Sequence, residues 1–565
     1  MATTTPRESR RARRGRRRAR ALLLISLLLG GMTGLRAQSI EAAAAAAVAS
    51  RAAQVTTPDS AQGLNGPGEA PLPTAATTPT RGWRLAPALK LMANATNNVG
   101  LVSTDPSSDI VTTVTPQLQL LGIGPDYKLT GTLAADMVTY LGRTRADRIF
   151  PRGQVTLNAR LLDRLLFADA ELGAETTSAS AFEMLGDGST TYAESNTVTR
   201  ERFSPYIDRE LSPSSRLTAR SDNTWSQGTG TGANADTTNI DAHVRTDTVR
   251  YDLKPQPTGL RADYNRQNTR YKVASSSLVL ATARLSALYA PDPTLTLGVT
   301  GGTDAVDYST NSVKETLRGV LLRWAPSERT VLDSQLEKRF FGTGWNATLT
   351  HRSPFMALSI GAQRQASTYA SRLGSLQAGG DVATMIDSIL QTRILDEATR
   401  QAAVQDLMAK RGLSGSLGSA VDLYSRTVQV QQGFNATLAL VGVRHTVTMR
   451  LYHTKLLDYH GADEDTGILG LASDSIQKGM ALSLGRRLDP DTAATVTWTQ
   501  VRTAGIGTNA SLGTRRGSQI RFGLSRALSP RTTVSATLRH QSGSTSLVGN
   551  DANETGLSVG MLHRF

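Results

Sequence analysis

The sequence predicts an all-β protein, a transmembrane antiparallel β-barrel of the outer-membrane type with about 22 strands (range roughly 18–24) and one helical insertion. Three observations carry this expectation. An export signal heads the chain, apolar and polar residues alternate with a period of two, and short turns alternate with long polar joins.

Residues 1–37 form the signal peptide. Nine Arg fall within "MATTTPRESRRARRGRRRAR", the apolar run "ALLLISLLLGG" follows at once, and "GLRAQ" offers cleavage after Ala37. The apolar run is too short for a spanning helix. This segment contributes +9 of the formal +15, leaving +6 for the remaining 528 residues, so the basic charge gives no argument for nucleic acid. With no Cys, the exported chain has neither disulfides nor thiol chemistry. Residues 38–82, "SIEAAAAAAVAS" through "APLPTAATTPTRG", are too rich in Ala, Pro, Thr and Gly to build a core and are expected to be a periplasmic linker.

The barrel is expected over 83–565. In "VRHTVTMRLY", Val443, His445, Val447, Met449 and Leu451 alternate with Arg444, Thr446, Thr448, Arg450 and Tyr452; "QIRFGLSR" sets Ile520, Phe522 and Leu524 against Arg521, Gly523 and Ser525. Runs of this kind reach ten to fourteen residues, the length a tilted strand needs to cross hydrocarbon. Pro-bearing turns such as "APDP", "APSE", "LDPD" and "SPR" alternate with long joins such as "YHGADEDTGILGLASD", as two unlike barrel rims require. Counting back from Phe565 places strands near 83, 127, 165, 214, 257, 293, 329, 355, 442, 491 and 531 in one direction. Those of the other direction begin near 110, 152, 199, 241, 277, 312, 343, 425, 475, 515 and 554. An even total puts both ends of the barrel on the periplasmic rim.

The last strand, "LSVGMLHRF", sends Leu557, Val559, Met561, His563 and Phe565 to one face. Phe565, Met561 and Val559 resemble the carboxy-terminal signal by which bacterial barrels reach their assembly machinery. His563 stands where Tyr or an apolar residue is more usual. Residues 381–411 carry Met385, Ile389, Val404, Leu407 and Met408 at helical spacings. An outer cap, a lumen plug and a surface hairpin all satisfy that pattern.

No chemistry-bearing motif stands out: there is no nucleotide loop, no HExxH and no calcium loop, so no enzyme, cofactor or metal site is expected. The seven His are dispersed; His445 and His453 would lie about 26 Å apart along one strand face, too far for one metal. Arg444, Arg450, Arg521 and Arg539, with Arg261 and Asp263, are expected to face the lumen. Such a lumen is either crosslinked by charge or an electrostatic path for an anionic polysaccharide.

Several blocks carry a family resemblance. "ATNNVGLV" resembles a Thr-Asp-Asn motif, with Thr96 and Asn98 matching and Asn97 in place of Asp; "DIVTTVTPQLQLLG", "LLDRLLFADAELGAE" and "FSPYIDRELSPSSRLTARSDNTW" resemble the blocks that follow. From about Trp83 onward the chain resembles the outer-membrane barrel family associated with PEP-CTERM/exosortase systems and encoded near exopolysaccharide genes. The resemblance implies an outer-membrane location, with lipid and the barrel assembly machinery as partners. It also implies a role in surface polysaccharide export or protein sorting, as a pore or as a non-conducting structural or docking component. It carries no active site.

Phe565→Ser should lower the amount of heat-modifiable barrel in the outer membrane and raise periplasmic degradation. Immunoblots of fractionated membranes measure this, and an unchanged yield would remove the special role of this ring.

Overall fold

The computed structural model describes residues 82–178, 195–230, 241–272, 277–308, 312–374, 380–395, 397–411, 413, 427–459, 474–546 and 551–565. The signal peptide, the linker through 81 and the joins at 460–473 and 547–550 lie outside these residues; Gly82, expected in the linker, is the first residue of the first strand.

Antiparallel strands follow one another around a single closed sheet. They are β1 Gly82–Thr96, β2 Asp109–Ile123, β3 Tyr127–Tyr140, β4 Arg148–Leu162, β5 Leu166–Ser178, β6 Ser195–Ser212, β7 Ser215–Gly230, β8 Ala242–Leu253, β9 Thr258–Tyr271, β10 Ser277–Asp292 and β11 Leu295–Tyr308. The second half comprises β12 Ser312–Ser327, β13 Thr330–Arg339, β14 Gly342–Arg352, β15 Met356–Thr368, β16 Val428–Val441, β17 His445–Tyr459, β18 Ser475–Arg487, β19 Thr492–Gly505, β20 Thr514–Ser529, β21 Thr532–Thr545 and β22 Ala552–Arg564. The 22 strands begin within about four residues of their expected positions, and β22 pairs with β1 to close the barrel.

Turns on the short rim are organised by the Asp or Ser beside each Pro. Asp489 Oδ1 accepts from the backbone N–H groups of Asp491 (2.8 Å) and Thr492 (2.7 Å). Ser529 Oγ accepts from those of Arg531 and Thr532, and Ser353 Oγ from that of Met356. Pro ends one ladder while its neighbour's oxygen replaces the missing partner for the next. In the exposed 488–491 turn these backbone bonds, the Asp491 N–H first, hold the Asp489 carboxyl below its ordinary range.

The closing seam carries a buried polar network on the inner wall. Arg539 of β21 crosses Gly556 of β22, its register partner, to reach Glu554 by two bonds, Nε to Oε2 at 3.0 Å and Nη2 to Oε1 at 2.5 Å. Both side chains are buried, at 2% and 0% exposure. A Cβ on Gly556 would meet Arg539 Nη2 and Glu554 Oε1 at 3.0 Å each, so glycine there leaves room for the pair. Thr96 of β1 donates to Glu554 at 2.6 Å, and Asn97 exchanges bonds with the Thr555 backbone, N–H to O at 3.2 Å and Oδ1 from N–H at 2.8 Å. Asn98, 2% exposed, donates to the carbonyls of Val102 and Asn553. The Thr96–Asn98 motif is therefore the latch between first and last strand.

After β15 come helix α1 (Tyr369–Gly374) and the hairpin of α2 (Gly380–Leu390) and α3 (Glu397–Arg411). Val382, Met385, Ile386, Ile389 and Leu390 form one face of α2 and pack with Val404 of α3 against Ala357, Ala439 and Ala481. Those alanines lie on the inward-facing positions of β15, β16 and β18, so the hairpin fills part of the lumen. Arg400 joins the helices through Asp387 (2.8 Å) and the Ile394 carbonyl (3.1 Å). Arg411 ends α3 on the short rim, donating to Thr446 and to the Gly442 carbonyl.

Glu554→Gln should destabilise the barrel by about 3 kcal/mol or more, because it leaves Arg539 buried without its counter-charge. The midpoint of heat-modifiable migration measures this, and Arg539→Met with Glu554→Gln should recover part of the loss.

Candidate functional site

Strand alternation divides the barrel into an apolar outside and a polar inside. Leu538, Leu557, Val559, Phe522 and Leu524 stand exposed on the outer face. Along the short rim runs a girdle of exposed rings, Trp83, Tyr289, Trp324, Phe355 and Phe565. Fourteen-residue strands, common here, tilted by about 40° span roughly 36 Å, enough for the hydrocarbon and both interfaces. In hydrocarbon an open sheet edge would leave unpaired backbone groups, which the β1–β22 pairing removes. The chain is an outer-membrane β-barrel. In barrels of this type the short rim faces the periplasm and the long joins face outward.

Inside, the wall is partitioned by charge. From β5 to β13 the inward positions carry both signs and pair across and along the strands: Arg200 bonds Glu171 (2.6 Å), Arg202 bonds Asp222 (2.7 Å), and Arg220 reaches both Asp169 (2.9 Å) and Asp222 (2.8 Å). Farther round, Arg284 reaches Glu337 (2.8 Å) and Arg339 reaches Asp304 (2.6 Å). Glycine again stands opposite the long side chains, Gly173 to Arg200, Gly302 to Arg284 and Gly319 to Glu337. Under the helical hairpin the wall changes. Ala357, Thr437, Ala439, Ala481, Ser483 and Gly485 are small and uncharged, with Arg450 the one charge set between Thr437 and Ala481, which limits the desolvation cost beneath an apolar helix.

Near the outer end, opposite walls touch. Tyr308 of β11 donates to the Tyr459 carbonyl of β17 at 3.0 Å, and Gln267 of β9 donates to Thr368 of β15 at 3.0 Å. Phe340 and Phe341, at the tip of the β13–β14 hairpin, pack against Leu278, Val428 and Val430. Toward the periplasmic side the charged wall carries a ring pair, Phe167 and Tyr206, stacked at 5.2 Å and 19°, with the Arg220 guanidinium 4.9 Å above Tyr206.

The residues singled out in the sequence occupy different environments. Arg261 and Asp263 face inward on β9 and are each paired with β8, Arg261 with Asp252 (2.6 Å) and Asp263 with Arg250 (2.5 Å). Arg539 is committed to Glu554, and Arg521 faces inward directly across from Arg539. Arg450 faces inward on β17 opposite Ala481. Arg444 does not line the wall. The β16–β17 turn takes residues 442–444, closed by the Gly442 N–H to His445 O bond of 2.8 Å, so the strand begins at His445 and Arg444 is exposed on the rim. Val559 and Met561 point outward; the Phe565 N–H bonds the Pro87 carbonyl at 3.0 Å, and its ring stands edge-on to His563. Sequence reasoning missed the carboxylate partners and the Phe167–Tyr206 pair. Only register shows who meets whom. Among the described residues no group of His, Asp and Glu is arranged to hold a metal.

No protein-family model matches the chain, and no curated protein does. Among solved structures it is similar to the FrpB iron transporter from Neisseria meningitidis, at 10% identity and a TM-score of 0.46, covering 86% of this chain and 83% of that one. It is also similar to the outer membrane protein OpdK from Pseudomonas aeruginosa (11%, 0.32, covering 85% and 99%) and to the siderophore receptor PirA from the same organism (10%, 0.31, covering 86% and 81%). Likeness at this level carries no inference about cargo.

Because the chain has no native Cys, single cysteines report orientation cleanly. Ala510→Cys, between β19 and β20, should react with a membrane-impermeant maleimide on intact cells, whereas Asp489→Cys should react only after outer-membrane permeabilisation. The reverse pattern would invert the orientation.

Proposed function

We propose that this barrel is a constricted passage for surface polysaccharide, working with a protein-sorting system of the kind its sequence resembles. The observation that carries this reading is the Phe167–Tyr206 ring pair set among paired Arg and carboxylate side chains on the lumen wall left open by the helices. Aromatic faces accept the apolar faces of sugar rings, and an alternating row of donors and acceptors suits their hydroxyls. Paired charge makes the path polar without strong preference for either sign, so anionic and neutral glycans both fit it.

A second reading, a structural or docking component that conducts nothing, is favoured by the wall-to-wall bonds at the outer end. Conductance distinguishes the two. In planar bilayers the purified barrel should carry a small current, and deletion of residues 380–411 should enlarge it severalfold, since the hairpin occupies lumen that a 22-strand wall leaves wide. Arg250→Gln with Arg261→Gln should uncover Asp263 and Asp252 and move the reversal potential in a salt gradient toward cation selectivity. Tyr206→Ala should weaken current block by an added oligosaccharide. An inserted barrel that is silent with and without residues 380–411 would overturn the passage and leave the structural reading.

A further inference from the structure

The lipid-facing surface carries a feature that the passage does not use. His453 of β17, Lys478 of β18, Arg502 of β19 and Arg516 of β20 are successive register partners, His453 with Lys478, Lys478 with Arg502 and Arg502 with Arg516. They form one unbroken row across four strands, all exposed on the outer face. No salt bridge among the described residues joins any of them to a carboxylate. Like charges on directly opposed strand positions, about 5 Å apart, repel and destabilise the pairing. A wall that keeps such a row needs an anion to sit on it.

The height of the row narrows the choice of anion. Arg502 is eight residues along β19 from Ala494, about 21 Å up the barrel axis for a rise of 3.4 Å per residue and a tilt of about 40°. That is the outer edge of an apolar band roughly 25 Å tall. At the row lies a groove of about 420 Å³, lined by the four basic residues, by Phe434, the register partner of His453, and by Leu451 and Met480 two positions nearer the short rim. The arrangement offers cations at headgroup level and an apolar trough at acyl level. A soluble anion would use only the first, whereas a lipid uses both. We infer that the row and its groove bind a phosphorylated glycolipid of the outer leaflet, its phosphates on Lys478, Arg502 and Arg516 and an acyl chain along Phe434, Leu451 and Met480. Arg and Lys together suit this ligand, since guanidinium groups take phosphate by two parallel bonds and ammonium acts as a point charge.

The test uses the full barrel purified in detergent and stripped of lipid. The probes are bis-phosphorylated lipid A, the same lipid with its phosphates removed, inorganic pyrophosphate, and phosphatidylglycerol. Bound lipid is read by native mass spectrometry and stability by heat-modifiable migration. The bis-phosphorylated lipid should bind and raise the transition, and the Lys478→Gln, Arg502→Gln, Arg516→Gln variant should bind it at least about tenfold more weakly. Lys478→Arg should bind like the native chain, and Arg502→Gln alone should show an intermediate loss, which keeps the test readable if the triple variant folds poorly. Equal binding of the dephosphorylated lipid, equal binding by the folded triple variant, or stabilisation by pyrophosphate or phosphatidylglycerol to the same extent would each overturn the proposal.

Discussion

Everything in this protein depends on the pairing of β22 with β1. In hydrocarbon an open strand edge leaves a row of unpaired N–H and C=O groups, each costing several kcal/mol. A seam between residues more than 450 positions apart must therefore form and hold. The chain secures it twice over. Backbone pairing runs from Ala88–Arg564 to Thr96–Gly556, and at its outer end the side chains of Thr96, Asn97, Asn98, Arg539 and Glu554 interlock. The Asn97 amide oxygen accepts a backbone N–H, a bond that a carboxylate in the same position would also make. That the resembling motif has Asp there is consistent with a seam role and requires no ion.

Once closed, a wall of 22 strands encloses more space than its own side chains fill, and the sequence deals with that space in two ways. On one side, long Arg, Asp and Glu side chains cross facing glycines and bind one another. On the other, small uncharged residues make a shallow bed for an apolar helix. Arg411 and the Arg400–Asp387 pair then hold the hairpin in place by polar bonds at its ends while the apolar faces supply the burial.

The outer end shows the limits of picturing the barrel as a round tube. Strands six apart are bonded through Tyr308–Tyr459 and Gln267–Thr368, so part of the mouth is closed by its own walls. Helix α1 packs there as well, Ala370 against Ala242, Val244 and Tyr271 of β8 and β9, while Phe167 and Tyr206 stand on the β5–β6 wall nearer the other rim.

Much of this was legible in the sequence because strand alternation is local. Each residue's face follows from its parity, and the Pro-Asp and Pro-Ser turns mark where parity restarts, so strand number, direction and the outward set from Leu557 to Met561 all follow from the letters. Arg444 was misplaced for the same local reason, since one extra residue in a turn moves a side chain from wall to rim. The spacing of Met385, Ile389, Val404, Leu407 and Met408 established helix but not its side of the rim, because an apolar face names no partner. Pairing between strands decided the rest. Arg539 as a seam residue, Arg261 as a neutralised charge, and the row His453–Lys478–Arg502–Arg516 come from residues far apart in the chain, and register, set by closure of the whole sheet, is what brings them together.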